Sequence, residues 1–576
     1  MSLRATRQKK MKTNKKSSSA SPKILKQNEY HTISKKQQLE SIIDATLKRG
    51  DWSNACELAD QYLAAHRDEL TYENLLVLGN VFFQGKKFQR AHDVSVEAIK
   101  LDSGRHEAPE LLFWTKFSAG DSQSDSVLQR LMEDGPDERK KDYLYWGAIR
   151  ANNKSEYKRV LDLVEKAGGI PDPTNERYSE VMFAYIAALC DADRIQEAQS
   201  LLKDVPEKLF YASPNFPMIG AHILRAQGDL KAVINHYSAV LDKFPDLVEA
   251  KWNRALARLE TGDLERGWED YECRYDWAGF PSPKKVFDCP SWEGQKLEGK
   301  TILLWAEQGI GDQIMFLTLA LPWIKDPRIN VEIEVHEKLV GLVRMWYPEA
   351  CVRSFGAVDC RGMEEYAHLD FNLPFGSLPR HFLATHDNIE NRPIRFLSPE
   401  NGLKERLLEK LGLDSNTPII GFCWRSSMLA TSRNSQYLNV DAVETIARNL
   451  DTKPLILSLQ YGLNDDERKT LERIENAYIP EEDFLEDIVA HGRYVGICDY
   501  VLAPRTSTVQ LAGLYRRNTL SWGTDGWSFL GRRQYPWYPT VASFELSRKF
   551  SHSSLVYQLS RWLNLIIQND AQSQAI

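Results

Sequence analysis

The sequence predicts an α-helical solenoid followed by an α/β region of two Rossmann-like domains. Three observations support this prediction. Residues 38–277 show amphipathic helical periodicity with short Gly/Asp-centred turns and almost no β-type alternation. Residues 279–300 are rich in Pro and Gly, which end helical periodicity and mark a domain boundary. After residue 300, short apolar runs alternate with helical segments, which is the pattern of a parallel sheet with covering helices.

These changes of pattern divide the chain into six ranges. They are a basic tail (1–36), the solenoid (37–278), a linker (279–300), a first Rossmann-like domain (301–412), a second Rossmann-like domain (413–550) and a C-terminal helix and tail (551–576).

The composition is that of an ordinary soluble globular protein. The chain has 576 residues, of which 43% are apolar and 27% are charged. This length suits about three or four domains with sizeable cores. No uninterrupted apolar run reaches the roughly 18 residues that a membrane-spanning helix needs, so we expect no membrane span.

Charge is distributed unevenly along the chain. Residues 1–36 hold eleven Lys/Arg and one acid, a net charge of +10, which leaves −17 on the other 540 residues. An acidic body is not expected to bind nucleic acid, although the tail has the charge to contact acidic partners. The polar composition of the tail predicts disorder and lacks the apolar core of a secretory signal.

The cysteines indicate a reducing compartment. There are eight, none forms a CxxC pair, and no Cys/His spacing suits a zinc site. We therefore expect a cytoplasmic protein with neither a disulfide framework nor a structural metal.

The helical part repeats with a period of 34 residues. At this offset Gly228-Asp229 aligns with Gly262-Asp263, and Tyr237 aligns with Tyr271. This is the period of the tetratricopeptide repeat (TPR), a helix-turn-helix unit whose small residues allow close helix contact. We expect six or seven helix pairs, with residues 121–173 degenerate. The concave face of such a solenoid typically holds an extended peptide or another protein, so a protein partner is expected there.

The α/β part resolves into two units. The first has predicted strands at residues 301–306, 331–335, 350–355 and 369–373, and predicted helices at 312–323 and 338–346. The second follows a helix at 403–411, with predicted strands at 418–424, 453–460, 499–503 and 518–522, and predicted helices at 440–450, 486–495 and 507–515. Ligands of such sheets bind at the carboxyl ends of the strands, so a site is expected in the cleft between the two units.

A glycine-rich loop follows the first strand of the first unit. It contains Glu307, Gln308, Gly309 and Gly311 and leads into a helix at Asp312. Glycines let a backbone approach a ligand, and a helix N-terminus favours an anion. From spacing alone Asp312 is either a helix N-cap or a catalytic carboxylate. The loop does not match the dinucleotide pattern GxGxxG.

Two loops of the second unit carry cations and hydroxyls. Arg505, Thr506, Ser507 and Thr508 open a helix after a strand, and residues 425–433 offer Arg425 and Arg433 with four hydroxyls after the neighbouring strand. Two such loops at adjacent strand ends suit a diphosphate. The alternative for the first loop is a helix cap with an exposed Arg505.

Several motifs in order resemble one family. These are PSWEGQKLEGK (290–300), LLWAEQGIGDQIMFLTLALPWI (303–324), CWRSS (423–427), SLQYG (458–462), LAPRTSTVQLAGLYRRNTLSWG (502–523) and YPWYP (535–539). With the preceding repeats, they resemble the bacterial TPR-containing glycosyltransferases of the heptosyltransferase-like group. The resemblance covers most of residues 215–545.

The resemblance implies a GT-B glycosyltransferase fold and inverting transfer from a nucleotide-sugar without a metal or other cofactor. Residues 301–412 would be the acceptor domain, with Glu307, Gln308, Gly309 and Gly311 on the acceptor side, and 413–550 the nucleotide-sugar domain. Asp312 takes the place of the proposed general base. The donor-binding residues would be Arg425, Arg433, Arg505, Thr506, Ser507 and Thr508.

The acceptor implied is a protein Ser/Thr hydroxyl, for example on flagellin or another surface protein, presented by the solenoid. The chain departs from the family at Arg505 and Gln510, where heptosyltransferases have an Asp and a His. These departures keep two alternatives open, namely a non-catalytic TPR scaffold with a degenerate transferase half and a transferase acting on a surface polysaccharide.

Three further features have less definite interpretations. His336, at a predicted strand end, is either a cleft residue or a packing histidine. The aromatic residues of 522–538 favour domain packing over base stacking. The resemblance implies that a helix at 555–567 crosses back to cover the first Rossmann-like domain.

Overall fold

The computed structural model describes residues 50–427, 436–524, 526–546 and 551–574, together with residues 39, 41, 42 and 44. The predicted disordered tail lies outside this set. The contacts within the chain group it into two compact units, residues 11–229 and residues 230–576, which are described separately below.

Residues 50–229 of the first unit form a succession of helices joined by short turns. Helices α1 to α6 are Trp52–Ala65, Tyr72–Gln84, Phe88–Leu101, Glu107–Ala119, Ser124–Asp134 and Lys140–Asn153. Helices α7 to α11 are Tyr157–Lys166, Tyr178–Asp191, Ile195–Lys203, Glu207–Phe210 and Asn215–Ala226. The stretch that the sequence marks as degenerate, 121–173, is helical like the rest.

The apolar spacing of the repeats explains how the helices pair. In α2 and α3 the buried residues Leu75, Leu78 and Phe82 face Ala91 and Ala98 in one hydrophobic cluster. Their spacing of three or four residues places them on one face of each helix. The predicted helical solenoid is confirmed.

The second unit opens with three more helices of the same kind. They are α12 (Leu230–Lys243), α13 (Val248–Thr261) and α14 (Leu264–Tyr271), and α14 begins 34 residues after α12. A 3₁₀ turn over Glu272–Asp276 follows. In this unit the helical repeat therefore continues directly into the α/β region.

Two parallel sheets make up the α/β region. The first contains β1 to β4, which are Thr301–Trp305, Asn330–Val335, Cys351–Ser354 and Phe371–Pro374, in the spatial order β3-β2-β1-β4. The second contains β5 to β10, which are Ile419–Phe422, Leu455–Ser458, Ala477–Tyr478, Tyr500–Pro504, Asn518–Gly523 and Val541–Glu545, in the order β10-β9-β8-β5-β6-β7.

The second sheet has the strand order of a Rossmann fold, and the first sheet reproduces the first four strands of that order. The sheets are buried on both faces, as parallel sheets require, with the residues of β5 and β6 fully enclosed. The predicted fold of a helical solenoid followed by two Rossmann-like domains, the GT-B arrangement, is confirmed.

Helices cover both sheets. In the first domain they are α15 (Ile310–Leu317), α16 (Leu321–Ile324), α17 (Val340–Trp346), α18 (Leu378–Phe382) and α19 (His386–Glu390). In the second they are α20 (Leu403–Lys410), α21 (Val440–Arg448), α22 (Asp465–Glu472), α23 (Ile488–Ile497), α24 (Ser507–Leu514) and α25 (His552–Gln574).

The C-terminal helix α25 packs on the second Rossmann-like domain. Its buried Leu559 and Leu563 share a hydrophobic cluster with Ile420 and Phe422 of β5, and Asn564 Nδ2 donates to the Asn449 carbonyl at 3.0 Å. The prediction that this helix covers the first domain is wrong. Its apolar stripe shows that one face is buried, but a stripe does not identify the surface that buries it.

The Pro- and Gly-rich segment packs on the first domain. The Val286 N–H donates to the Val358 carbonyl at 2.9 Å, and the Trp292 N–H donates to the Asn372 carbonyl of β4 at 2.9 Å. These bonds place the segment beside the first sheet.

Candidate functional site

The glycine-rich loop joins β1 to α15 in the first domain. Gly309 is the N-cap of α15, and its N–H donates to Asp312 Oδ2 at 3.2 Å. Asp312 is therefore the third residue of the helix and not its N-cap, which corrects one of the two interpretations of the sequence. A carboxylate in the first turn is favoured by the helix dipole.

Glu307 has a different setting from its neighbours. It is 2% exposed and accepts from Arg274 Nε at 2.8 and 3.1 Å. Its carboxylate is therefore held in a buried ion pair.

The second loop joins β8 to α24. Thr506 is the N-cap of α24 in an extended conformation, and Thr508, within the first turn, is 0% exposed. Within the part of the chain that the structure describes, neither hydroxyl has a hydrogen-bond partner. A buried hydroxyl left unpaired costs about 1–3 kcal/mol, so two at one helix start point to a missing partner.

Further polar groups meet at this strand edge. Burial raises the pKa of Tyr461, and the hydroxyls of Ser426, Thr506 and Ser507 act in the opposite direction. Burial likewise raises the pKa of the Cys423 thiol to about 11, against smaller effects of Thr508 and Thr506. The hydroxyls therefore lie close together beside a protonated thiol.

Tyr461 is not among the site residues predicted from the sequence, and Ser426 is included there only as one of the four hydroxyls of residues 425–433. Ser426 follows β5, which is next to β8 in the sheet, and Tyr461 follows β6, which is next to β5. The rule that ligands bind at the carboxyl ends of parallel strands is the signal that would have found them.

The two candidate loops face each other. A Cβ added at Gly311 would lie 3.4 Å from the Ser507 backbone nitrogen and 3.8 Å from Gln510 Cγ. The N-terminal turns of α15 and α24 are therefore in contact across the cleft between the Rossmann-like domains. Free N–H groups and the dipoles of both helices make this a favourable place for an anion.

Arg425 is not free to join this site through its main donor groups. Its Nε and Nη2 donate to the two oxygens of Glu467 at 2.8 and 2.6 Å, and Nη2 also donates to the Gly462 carbonyl. Burial of the pair strengthens this bidentate contact. The structure thus assigns Arg425 to an ion pair within the second domain, in contrast to the predicted donor contact.

Arg505 is also engaged. Its Nε donates to Ser543 Oγ at 3.2 Å, its Nη2 donates to the Phe544 carbonyl at 3.0 Å, and its guanidinium lies 4.6 Å from the Phe529 ring centre. It joins the ends of β9 and β10. Arg433, the third predicted cation, lies outside the described residues.

A groove of about 360 Å³ lies next to the first loop. Its lining includes Ser282, Gln308, His336 and Phe355. The His336 Nδ1 accepts from the Lys338 N–H at 3.3 Å and caps a short 3₁₀ turn. His336 thus lines an open groove of the first domain.

The late aromatic residues are mostly core residues. Trp522, Trp537 and Tyr538 are almost fully buried, and Phe529 and Tyr535 nearly so. They pack the second domain and its contact with α15, where Tyr535 approaches Met315. The interpretation as packing residues is confirmed.

The described residues contain neither a metal-binding cluster nor a membrane-spanning helix. No group of three or more His, Cys, Asp or Glu in that part of the chain is arranged to hold a metal ion. Among the described helices, none combines the length and the apolar character that a membrane crossing requires.

One curated protein of similar sequence is known from Caulobacter vibrioides. Protein FlbA of Caulobacter vibrioides is 27% identical over 318 residues, which cover 52% of each chain, so the chain spans about half the length of the curated relative that it matches. No family model matches the chain.

Two solved structures are each similar to part of this chain. The ADP-heptose LPS heptosyltransferase II of E. coli is 12% identical with a TM-score of 0.34, covering 47% of this chain and 99% of its own. A tetratricopeptide repeat protein of Parabacteroides merdae is 14% identical with a TM-score of 0.32, covering 41% of this chain and 91% of its own.

Proposed function

We propose that residues 230–576 transfer a sugar from a nucleotide-sugar to a hydroxyl acceptor with inversion at the anomeric carbon. The observation that carries this proposal is the contact of the Gly309–Asp312 loop with the start of α24, where the buried hydroxyls of Thr506 and Thr508 have no hydrogen-bond partner among the described residues. An anionic leaving group and a carboxylate base are the two elements that such a reaction needs.

The donor diphosphate would lie at the start of α24. The hydroxyls of Thr506 and Thr508 and the first N–H groups of the helix are the donors available there. Ser507, Ser426 and Tyr461 supply further hydroxyls. A diphosphate bound to these groups would complete the hydrogen bonds of both threonines, so the second Rossmann-like domain would bind the nucleotide-sugar.

Asp312 would act as the general base. Its carboxylate takes the proton of the acceptor hydroxyl as the oxygen forms a bond to the anomeric carbon. The bond from that carbon to the diphosphate oxygen breaks, and its electron pair leaves with the nucleoside diphosphate. The acceptor would approach from the first domain, where the groove beside Gln308 and His336 opens.

The leaving group would be stabilised by the protein without a metal ion. Hydroxyls, backbone N–H groups and two helix dipoles converge at the contact of α15 and α24. We expect turnover to continue in the presence of a chelator, and its loss would contradict this part of the proposal.

The acceptor is proposed to be a protein Ser or Thr presented by the helical solenoid, which carries a groove of about 530 Å³ lined by residues between Leu76 and Arg177. This groove has the dimensions and mixed polar and aromatic lining that suit a polypeptide. A surface polysaccharide is the other acceptor class consistent with the cleft. The protein would act in the cytoplasm, where nucleotide-sugars are the available donors.

One observation favours a non-catalytic scaffold instead. Arg425 and Arg505, the cations predicted to bind the donor, are held by Glu467 and by the β9–β10 edge. A transferase half that had lost donor binding would show such engaged arginines.

Turnover with a panel of nucleotide-sugars separates these functions. We expect the purified chain to release a nucleoside diphosphate from at least one donor, and mass spectrometry of co-expressed proteins to show a glycosylated Ser or Thr. Absence of both release and nucleotide binding across the panel would favour the scaffold. Release accompanied by label in polysaccharide alone would identify the other acceptor class.

A further inference from the structure

The 3₁₀ turn after α14 lies against the loop that leads to Asp312. Arg274 of this turn is 0% exposed, and its Nε donates to Glu307. Its other nitrogens donate to Glu272 Oε1 at 2.9 Å and to Ser377 Oγ at 2.8 Å. Each guanidinium nitrogen of Arg274 therefore has a hydrogen-bond partner, and the ion pair holds the buried Glu307 carboxylate in place.

Tyr275 also contacts the Glu307 carboxylate. Its hydroxyl donates to Glu307 Oε2, and burial together with the charge of Glu307 raises the pKa of the phenol, which therefore stays a donor. Gly376 leaves room for the carboxylate, because a side chain there would overlap Glu307. The position after β1 is therefore held from three sides.

The next residue, Gln308, adopts a strained backbone. Its φ of +63° lies in the left-handed region that non-glycine residues rarely adopt. Its N–H donates to Ser282 Oγ at 2.7 Å, and its Nε2 donates to the Tyr271 hydroxyl at 2.7 Å. A conformation of this kind persists only where neighbouring groups hold it.

Hydrogen bonds connect Gln308 and the adjacent Gly309 to the first residues of α15, which include Asp312. The Gln308 carbonyl accepts from Gln313 Nε2 at 3.3 Å, and the Gly309 N–H donates to Asp312 Oδ2. The start of α15, and with it the Asp312 carboxylate, is consequently fixed by contacts that originate in the last helical pair, which is α13 and α14 with the 3₁₀ turn that follows them.

We propose that Arg274 and Tyr271 are positioning residues for Asp312, so that the last helical pair is a component of the active site as well as the end of the solenoid. This inference rests on the proposed function, because it takes Asp312 as the base. No substrate contact is assigned to either residue.

Two variants of the full-length chain test the proposal. The double variant Arg274→Met with Glu307→Gln removes both charges of the buried pair, which avoids leaving one of them unpaired. Tyr271→Phe removes the hydroxyl that accepts from Gln308 and keeps the aromatic ring. The matched control is Arg254→Met, which breaks an ion pair with Asp270 in the same helices and does not touch the loop.

The first measurement is amide hydrogen exchange over residues 307–313. We expect the double variant and Tyr271→Phe to lose protection in this segment, while Arg254→Met keeps it. Wild-type protection in both test variants would overturn the proposal, whether or not turnover is found.

The second measurement is steady-state turnover of the donor. Misplacement of the base should lower kcat by on the order of 100-fold and leave the donor KM near the wild-type value, because the donor is bound by the other domain. A wild-type kcat in both test variants would contradict the inference, whereas a wild-type chain without turnover would contradict the proposed function.

Discussion

Thr508 combines complete burial with an unsatisfied hydroxyl, and this combination distinguishes ligand binding from packing. In most proteins, replacing a buried threonine by valine loses a hydrogen bond and destabilises the fold. Here no described residue makes a hydrogen bond of normal geometry with the hydroxyl, whose one neighbour with an effect is the weakly interacting Cys423 thiol, so the hydroxyl contributes mainly desolvation cost to the free chain.

We therefore expect Thr508→Val to leave the free energy of unfolding unchanged or slightly higher. Its affinity for a nucleoside diphosphate should fall by about 1–1.5 kcal/mol, roughly tenfold. Chemical denaturation and calorimetric titration measure the two quantities.

Thr519→Val is the matched control. Thr519 is equally buried, but its hydroxyl donates to the Arg517 carbonyl at 2.9 Å. This variant should lose stability and keep nucleotide affinity. Loss of stability without loss of affinity in Thr508→Val would contradict a role in the donor site.

His491 makes the protein sensitive to acid. It is 0% exposed, neither ring nitrogen has a partner in the described part of the chain, and burial lowers its pKa to about 3. Between this value and the unfolded pKa of about 6.5, the unfolded chain binds a proton that the folded chain does not, so stability falls as pH falls.

From this difference we expect His491 to cost about 2 kcal/mol of stability at pH 5 relative to pH 7. Denaturant unfolding of wild type and His491→Leu at the two pH values checks this expectation. The free energy of unfolding of the variant should change less between pH 7 and pH 5, by about the contribution of His491. An identical pH dependence in both proteins would show that His491 titrates normally.

The residue pattern predicted where the candidate loops lie but not which partner each arginine has. Asp312, Thr506 and Thr508 were predictable because they stand at strand-to-helix junctions, whose position follows from the chain pattern. Arg425 was not, because its partner Glu467 lies 42 residues further along the chain. Engagement of an arginine depends on tertiary contacts that no local pattern encodes.

At the scale of elements, the turn after α13 meets the second domain at two glycines. Gly262 and Gly531 have φ values of +83° and +75°, and a Cβ at Gly531 would lie 2.5 Å from Gly262 Cα. The backbones touch, so both positions require glycine.

We expect Gly531→Ala to destabilise the protein by about 1–3 kcal/mol, from overlap added to the cost of positive φ. Gly299→Ala is the control, because Gly299 has a φ of +73° and open space around it. Equal thermal shifts in the two variants would mean that the close approach contributes nothing.

The eight strands predicted from the sequence were placed within one or two residues because they are short runs rich in apolar residues. β7 (Ala477–Tyr478) and β10 (Val541–Glu545) were not predicted. They lie at the two edges of the second sheet, where half of the neighbours are missing and the apolar signal is weak. Edge strands are specified largely by the strand that they join.

At the scale of the whole molecule, the compact unit of residues 230–576 contains both Rossmann-like domains and the candidate site. We expect a fragment of these residues to fold and to release nucleoside diphosphate at the rate of the full chain. Modification of a protein acceptor should fall sharply, because the fragment lacks most of the solenoid.

Circular dichroism and paired assays of donor turnover and acceptor labelling check this expectation. Acceptor labelling by the fragment at the full-chain rate would remove the proposed role of residues 11–229.

The fold class followed from sequence because periodicity changes once, after residue 300. The place where the compact units divide did not, because the last helices keep the repeat pattern while packing against the α/β region.

The central claim is that Asp312 acts on a sugar donor bound at the start of α24. Steady-state kinetics of Asp312→Asn tests it most directly, with a donor that the wild-type chain turns over. Loss of a general base should lower kcat by about 10²- to 10⁴-fold and leave the donor KM nearly unchanged. A variant with the kcat of the wild type would contradict the account.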